Sequence, residues 1–487
     1  MQQQVEHLLQ YALDVVSASK GQGVTYADVR YRKTFDERIL TLNNVLNHFS
    51  SLEEEGIAIR VLKKGRWGFA ATSKLSQESV ASAAASALAI AEEAAKVQST
   101  NIVLSEDKIP SSLKFKTEIA IDPFSVPTEE KINLLFNIYE EVKGAKAFKR
   151  LDGVLRLKKF QQLFKTLDGA SLENEIYLNE ITYTVTVVEG KDFQSRTFYG
   201  IPKSAGYEWV LAQNPLAHAR KIAEEALQKL RAAKAPAGRK DLILLPSNLY
   251  LTIHESVGHP TELDRVLGWE ANFAGTSFAT TEKRGKFRYA SPLVNFRADN
   301  TLPGGLATLG HDDDGIPSKS WDIIKEGILV NYGSTRDTAP FIGERESMGC
   351  NRADSYASMP INRIPNLSLM PGRERLSLVE LIADTKDGIL IDGRGSFSID
   401  QQRLNFQFGG DFFQEIKNGK IVGPLRDVTY QSITPEFWQS CDAICDEREW
   451  QLFGTLNCGK GEPSQVQHMT HASSPARFRN VLVGGAF

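Results

Sequence analysis

The chain contains 487 residues, 41% of them hydrophobic and 24% charged, which is typical of folded globular proteins and excludes a disordered chain. Its formal net charge of −3 offers no general attraction to nucleic acid or to an anionic membrane. A chain of this length predicts two or three domains rather than a single core.

The N-terminal segment predicts an amphipathic helix that packs on a core. Val5, Leu8, Leu9 and Ala12 recur at helical spacing between polar residues, unlike the continuous apolar run of a secretion signal. No stretch of the sequence reaches the ~18 apolar residues that a membrane-spanning helix needs. Four cysteines are too few for a disulfide framework. We therefore expect a cytoplasmic protein without a membrane segment.

The next segments predict strands followed by a helix. Residues 26–51 and 56–72 alternate apolar and polar side chains as half-buried strands do, and Lys64-Gly65 forms a tight turn. Residues 76–97 are rich in alanine and predict a helix. This order predicts an antiparallel sheet backed by helices, which is an α+β fold rather than a doubly wound one.

The middle of the chain predicts a helix from Thr128, strands around 175–199, and a strong helix that ends in a turn-like sequence near residue 236. We place the main domain boundary there. The predicted organisation is an N-terminal α+β domain, residues 1–235, with subregions of roughly 1–110 and 111–235. Residues 236–487 are rich in Gly, Pro and short apolar runs, and predict a mostly β C-terminal domain.

Residues 143–165 carry eight basic residues against one acidic residue, Asp152, with Phe148, Phe160 and Phe164 among them. Basic segments with interspersed aromatic residues are found in proteins that bind single-stranded nucleic acid. Our interpretation is the commoner one, a helix whose basic face is solvated and whose phenylalanines face inward.

The sequence "TIHESVGHPTELD" contains the strongest chemical signal. On a regular helix His254 and His259, five residues apart, point about 140° away from each other. They can bind one ion only if the helix ends or distorts between them, and Gly258 and Pro260 favour such a break. Neutral imidazoles bind zinc, and Glu255, beside the first histidine, could take a proton from a zinc-bound water. The alternative is a pair of histidines at a helix end that bind no metal.

A catalytic zinc usually has three protein ligands and one open position. The candidates for the third ligand are Glu262, Asp264, His311 and the cysteines. Among the cysteines Cys458 is the most suggestive, because it lies between glycines in a segment predicted to be a loop. Its alternative role is that of a small buried hydrophobic residue.

A structural zinc knot near the C-terminus is a competing arrangement, with the ligands Cys441, Cys445, Cys458, His468 and His471. We disfavour it, because the C-x3-C spacing differs from a zinc knuckle and "EFWQSCDAICDEREW" predicts a helix with both cysteines packed on one face.

Several separated motifs together resemble the TldD/PmbA metallopeptidase family. "HESVGHPTELD" resembles its H-E-x-x-x-H segment followed by E-x-D, "GHDDDG" its D-D-E-G region, "YASMPINRIPN" its M-P-R-x-x-N segment, and "NCGKGEP" its C-G-K loop. These motifs occur in the family's order, and the resemblance covers nearly the whole chain. The chain departs from the family at Pro260-Thr261 and at Gly461-Glu462.

This resemblance implies zinc ligands at His254, His259 and Cys458, with Glu255 as the general base. It also implies a zinc-dependent peptidase acting on unfolded or extended peptides, with a zinc-bound water activated by the glutamate. The partner is expected to be a second copy or a PmbA-like chain, giving a homodimer or a heterodimer.

Two other functions remain open from the sequence. One is a non-catalytic regulatory or binding protein of the gyrase-modulator type with a structural metal site, for which a base at Glu255 would be unnecessary. The other is nucleic-acid binding through residues 143–165, which the overall charge does not favour.

Overall fold

The computed structural model describes residues 2–18, 23–97 and 100–484, and its N-terminal half is built on one large sheet. The strands of this half are β1 Val24–Leu42, β2 Val45–Lys63, β3 Arg66–Thr72, β4 Ser112–Lys116, β5 Phe148–Thr166, β6 Ser171–Glu189 and β7 Asp192–Tyr199. The helices are α1 Gln2–Ser17, α2 Gln77–Ala94, α3 Thr128–Val142, α4 Tyr207–Ala212 and α5 Pro215–Arg231.

This sheet has the strand order β3-β2-β1-β5-β6-β4, with β7 paired to the far end of β6. All its pairings are antiparallel except β4 with β6. Helices α1 and α2 pack on one end of the long strands, and α3 and α5 pack on the other end of the same face. Alternate residues of β1, such as Arg30, point to the opposite face and contact the C-terminal half. The predicted α+β class is confirmed.

The prediction of a helix at residues 143–165 is wrong, because most of this segment forms β5. Its burial alternates with a period of two, with Leu151, Leu155 and Leu157 buried under α3 and α5. After Lys159 the alternation shifts by one residue, so that Phe160 faces the C-terminal half. The basic side chains occupy the positions between the buried ones, and this produces a strand with a charged face rather than a helix.

The C-terminal half is mostly β. Its strands are β8 Ala233–Lys234, β9 Gly238–Leu244, β10 Phe296–Asp299, β11 Ser320–Lys325, β12 Ile328–Leu329, β13 Asn351–Arg352, β14 Ile361–Asn362, β15 Leu367–Leu369, β16 Asp387–Ile399, β17 Asn405–Lys417, β18 Lys420–Arg426, β19 Thr429–Ile433, β20 Cys441–Ile444, β21 Gly454–Lys460, β22 Gln465–Thr470 and β23 Ala476–Val483. Its helices are α6 Pro246–Ile253, α7 Leu263–Val266, α8 Ala271–Ala274, α9 Leu378–Ala383 and α10 Thr434–Gln439.

The largest sheet of this half closes into a barrel, because β16 pairs with both β9 and β17 in the order β16-β9-β23-β19-β17. Helix α6 follows β9 directly and is buried almost all round. The side chain of Asn248 on α6 donates to Gly393 O and Gly409 O at 2.8 and 2.9 Å, which fixes the helix against β16 and β17. Among the described residues, no helix is both long and apolar enough to cross a bilayer.

Two local predictions for this half are also wrong. The helix predicted around Cys441 and Cys445 ends at Gln439, and Cys441 begins strand β20, which pairs with β23. Pairing to a barrel strand decides this conformation, and a single sequence does not reveal that partner. Cys458 lies within strand β21 rather than in a loop, since residues 454–460 pair with β22 despite their glycines.

Candidate metal centre

The two motif histidines come together through a widened helical turn. Helix α6 continues into one π-helical turn, His254–Gly258, and then into a 3-10 turn, His259–Thr261. The backbone N–H of His259 donates to His254 O, five residues back. The ring centroids of the two histidines are 4.7 Å apart. The extra residue in the turn brings onto one side two residues that a regular helix would separate.

The helix distorts between the two histidines, as expected, but it does not break at Gly258. Gly258 keeps right-handed helical angles, φ −59° and ψ −65°. Its lack of a side chain matters for packing, because a Cβ there would lie 3.0 Å from Ile364. The chain leaves helical geometry only at Glu262, after the 3-10 turn in which Pro260 lies.

Cys458 completes a cluster of three potential ligands. One nitrogen of His254, one nitrogen of His259 and the Cys458 sulfur all lie within 4.8 Å of one another, and all three residues are buried. The sulfur is 3.6 Å from His259 Nε2. Strand β21 is fixed behind this cluster by the Arg363 guanidinium, which donates to Cys458 O at 2.6 Å. Within the described residues, this is the only such cluster of His, Cys, Asp or Glu that could hold a metal.

A carboxylate determines which nitrogen of His259 is free. His259 Nδ1 lies 2.8 Å from Glu262 Oε2. Burial alone would raise the pKa of Glu262, but Lys460 and His259 together hold that pKa well below its usual range. An ionised carboxylate only accepts hydrogen bonds, so Nδ1 carries the proton and Nε2 presents its lone pair to Cys458.

A second histidine determines the free nitrogen of His254. His471 Nδ1 lies 3.0 Å from Leu367 O, which can only accept, so that nitrogen donates. Burial lowers the pKa of His471 well below the usual value, so its Nε2 is unprotonated and accepts from His254 Nδ1 at 2.8 Å. His254 Nε2 is thereby left with a free lone pair. Sequence reasoning considered His471 only as a knot ligand and missed this role, because it lies 217 residues from His254.

The other candidates for the third ligand have different partners. Glu262 is bound to the outer nitrogen of His259, and Asp264 Oδ1 accepts from Lys460 Nζ at 2.7 Å. Lys460 is completely buried and also reaches Glu262 Oε1 at 3.2 Å, which joins the C-G-K and E-x-D motifs in one ion cluster. His311 lies apart, with its Nδ1 2.7 Å from Asp312 O.

Cys441, Cys445 and His468, three members of the competing knot, have other surroundings. Cys445 packs in an apolar cluster, where burial raises the pKa of its thiol to about 12, and burial raises that of Cys441 as well. His468 lies against the ring of Phe160. The pKa of Cys458 shifts the other way: burial raises it, but the nearby His259 and Arg363 outweigh burial and lower it. A lowered thiol pKa favours the thiolate that binds metals.

Glu255 lies on the π-helical turn directly after His254. Its Oε2 accepts from Arg403 Nη1 at 2.5 Å, and both side chains are largely buried. Arg403 lies between β16 and β17 in a left-handed conformation, φ 63°, and its carbonyl accepts from the Thr434 hydroxyl at 2.8 Å. An arginine in this rare conformation next to a candidate base suggests a functional position, and no local sequence signal identifies it.

The donor set fits a zinc ion. Burial lowers the pKa of His254 and of His259, so both imidazoles are neutral at neutral pH and can act as ligands. Two imidazole nitrogens and one thiolate match zinc's preference for nitrogen and sulfur. In a tetrahedral zinc site the nitrogen and sulfur ligands lie roughly 3.5 Å apart, close to the 3.6 Å between Cys458 Sγ and His259 Nε2.

Known proteins resemble this chain over nearly its whole length. Residues 237–485 match the family described as PmbA/TldA metallopeptidase C-terminal domain, and residues 27–91 match domain 1 of the same family. A metalloprotease of Methanocaldococcus jannaschii is 28% identical, covering 89% of this chain and 92% of the relative. A relative from Haemophilus influenzae, named metalloprotease TldD homolog, is 26% identical over 93% of this chain and 91% of its own.

Among solved structures, one from Thermotoga maritima described as a candidate modulator of a DNA gyrase has the same fold, with a TM-score of 0.77. It covers 98% of this chain and 99% of its own, at 16% sequence identity.

Proposed function

Because the chain belongs to the PmbA/TldD metallopeptidase family, we propose that it is a zinc-dependent peptidase that hydrolyses unfolded or extended peptides. The observation that carries this proposal is the convergence of three buried ligand atoms from His254, His259 and Cys458. Each histidine has its other ring nitrogen bonded to an acceptor, as metal-ligating histidines almost always do.

Zinc held by these three residues would supply a Lewis acid that polarises a water molecule and the scissile carbonyl. The protein's part is to hold both imidazoles in the correct tautomer, through Glu262 and His471, and to exclude bulk water by burial.

Glu255 is the proposed general base. It neighbours His254 in sequence, so its side chain leaves the turn in a different direction and can accept a proton without being a ligand. Arg403 binds Glu255 Oε2 and orients the carboxylate, which leaves Oε1 as the oxygen that accepts the proton. After bond cleavage the same oxygen returns the proton to the leaving amine.

We propose further that the protein works as a pair, either with itself or with a PmbA-like chain. Residues 45–56 of β2 pair with β1 on one side, while β3 covers only residues 57–63 on the other. This open edge exposes Val45, Phe49 and Leu52, at 63%, 42% and 65% of their surfaces. Open apolar edges are typical sites of chain association. Light scattering that shows a fully active monomer at micromolar concentration would contradict the pairing.

The test of the peptidase proposal is Glu255→Gln. The amide keeps the shape of the side chain but cannot accept the proton, so we expect a zinc-loaded protein that cleaves unstructured peptides ~10²–10⁴-fold more slowly. Glu93→Gln, at a side chain 69% exposed, is the matched control and should cleave as the wild type does.

Cleavage by Glu255→Gln at the wild-type rate would eliminate Glu255 as the base. If the zinc-loaded wild type cleaves no peptide, alone or with a PmbA-like chain, the alternative of a regulatory protein with a structural metal site gains support. The printed description of the Thermotoga structure suggests that alternative for its own protein.

A further inference from the structure

Three exposed aromatic residues lie on segments linked to the strand that carries Cys458. Trp269, Phe273 and Phe341 expose 43%, 47% and 42% of their surfaces, and the rings of Trp269 and Phe341 meet edge to face at 5.7 Å. We call these three residues the aromatic shelf. Aromatic side chains half exposed at one place are a costly arrangement on a soluble surface and commonly mark a binding site.

The shelf is attached directly to the strand that carries Cys458. The ring of Phe273 covers Gly461, so closely that a Cβ on this glycine would lie 2.6 Å from the Phe273 Cγ atom. Gly461 follows β21 three residues after Cys458, a separation of about 10 Å along an extended chain. A peptide whose scissile bond lies at the metal cluster could therefore place a side chain one to three residues away on the shelf.

The other side of the shelf is attached to the turn that carries Arg403. Gly275, at φ 93°, lies so close to Gln401 O that a Cβ there would be 2.3 Å from that oxygen. The N–H of Thr276 donates to the same carbonyl at 3.0 Å. The shelf segment thus lies between the elements that carry Cys458 and Arg403, and Arg403 binds Glu255.

Arg265, which directly follows the metal motif, holds the segment 270–274 that contains Phe273. This arginine is fully buried, and its guanidinium binds Glu270 at 2.8 Å and donates to Ala274 O at 2.9 Å. Both ends of the short segment 270–274 are therefore fixed by one side chain. Phe273 is therefore held on a segment that is fixed at both ends, which suits a specificity pocket.

We infer that the aromatic shelf binds an aromatic or large aliphatic side chain of the peptide substrate, next to the scissile bond. This inference rests on the proposed peptidase function and adds a substrate preference to it. The shelf lies outside the proposed ligand set, so changing it should alter which peptides are cleaved while zinc content stays constant.

The test uses a mixture of unstructured peptides with every residue type represented at each position, and cleavage sites are identified by mass spectrometry. We expect the wild type to cleave within three residues of an aromatic or large aliphatic side chain. Phe273→Ser and Trp269→Ser should reduce that preference roughly tenfold, as loss of apolar contact does. Cleavage of peptides without such side chains should stay unchanged, as should the zinc content.

Phe193→Ser is the matched control, since Phe193 is 64% exposed on β7, in the other half of the chain, and should leave the preference intact. Cleavage without an apolar preference, or a preference unchanged in both shelf variants, overturns the inference and leaves the peptidase proposal standing.

A binding experiment separates the two proposals further. Immobilised Glu255→Gln protein should retain peptides with apolar side chains from the same mixture, and adding Phe273→Ser should abolish that enrichment. Such enrichment without any cleavage by the wild type would support the shelf and reject the peptidase. If the shelf variants instead convert a dimer to a monomer and leave the preference unchanged, the shelf is an interface between copies and the inference fails.

Discussion

Two buried ion clusters in this protein have similar compositions but differ in the groups that their carboxylates contact outside the cluster. Between the sheet and the C-terminal half, Arg60 binds Asp28 at 2.7 Å and Asp314 at 2.6 Å. Behind the metal centre, Lys460 binds Asp264 at 2.7 Å and Glu262 at 3.2 Å. In each cluster one buried cation lies between two carboxylates, and in the second cluster Arg265 Nε also lies 3.7 Å from Glu262 Oε2.

The difference lies in Glu262. In the Arg60 cluster the charged groups contact one another, the backbone or neutral side chains. Arg60 Nη2 donates to Asp313 O at 3.2 Å, and Asn351 Nδ2 donates to Asp314 Oδ1 at 2.9 Å. In the Lys460 cluster, Glu262 uses its second oxygen to accept from His259 Nδ1, and His259 keeps its other nitrogen facing Cys458. A buried ion cluster that holds a side chain with a free lone pair indicates a functional site. A cluster whose groups all have partners within the fold indicates a structural contact between two parts of the protein.

The largest effect is expected from removing the proposed ligand Cys458, which faces His259. We expect Cys458→Ser to lose its zinc and all peptidase activity, because serine does not supply the thiolate that completes the ligand set. Cys445→Ser, which changes another buried cysteine, should keep both. Metal content by mass spectrometry decides, and a Cys458→Ser protein with full zinc would remove Cys458 from the ligands.

The second prediction compares the stability and the zinc affinity of two variants, Lys460→Met and Arg60→Met, which remove the cation of each cluster. Each change leaves two buried carboxylates without their cation, so each should lower the free energy of unfolding by about 3–5 kcal/mol. Only Lys460→Met should also weaken zinc binding, because Glu262 would then hold His259 less well. Denaturant unfolding gives the stability, and competition with a chelator gives the affinity.

Equal losses of zinc affinity in both variants would mean that the two clusters do not differ in function. If Lys460→Met does not fold, Glu262→Gln compared with Asp314→Asn provides a comparison with a smaller perturbation, since each removes one carboxylate charge from its cluster and only Glu262 holds His259.

The sequence predicted the parts of this molecule that depend on local patterns. Strands β1 and β2, the alanine-rich helix α2 and the grouping of His254 with Glu255 and His259 are all visible within short windows. The half-burial predicted for β2 is wrong, because most of residues 45–55 are exposed and residues 56–63 are all buried. The confirmed family resemblance added Cys458 to the proposed ligands from 199 residues away.

What the sequence could not predict depends on partners distant in the chain. Arg403 reaches Glu255 across 148 residues, and His471 reaches His254 across 217. The π-helical turn was not predicted either, because glycine followed by histidine and proline is also typical of a helix end. The sequence of strand β5 predicts a helix because its basic residues obscure the period of two.

The third prediction concerns how stability depends on pH, through His311, which lies where the N-terminal sheet contacts the C-terminal half. Burial lowers the pKa of His311 to about 4, whereas an unfolded chain has its histidine pKa near 6.5. Between these values the unfolded state binds more protons, so stability falls as the pH falls. From pH 7 to pH 4 this residue should cost the folded state about 3 kcal/mol.

His311→Phe removes the titrating group and keeps an aromatic ring against Phe164, whose centroid lies 5.7 Å from that of His311. Urea unfolding at several pH values should therefore show a shallower loss of stability for this variant than for the wild type. His48→Asn, at an exposed position, should leave the slope unchanged. An unchanged slope in His311→Phe would mean that this histidine takes up its proton over the same pH range in the folded and the unfolded protein.

The last prediction concerns His471, which reproduces for His254 what Glu262 does for His259. His471 Nε2 accepts a hydrogen bond from His254 Nδ1, because His471 Nδ1 donates to Leu367 O. His471→Phe keeps the ring but removes the acceptor, so His254 is no longer held in the tautomer that exposes Nε2. Zinc affinity should fall ~10–100-fold, the usual effect of losing the hydrogen-bond partner of a metal-ligating histidine.

Glutamine at this position separates hydrogen bonding from packing. His471→Gln supplies an amide oxygen that can accept from His254 Nδ1, so it should recover most of the affinity although it fills the space less well than phenylalanine. His468→Phe changes another buried histidine of the same half and should leave the affinity intact. If glutamine is as harmful as phenylalanine, His471 acts through its shape, and the orientation of His254 has another cause.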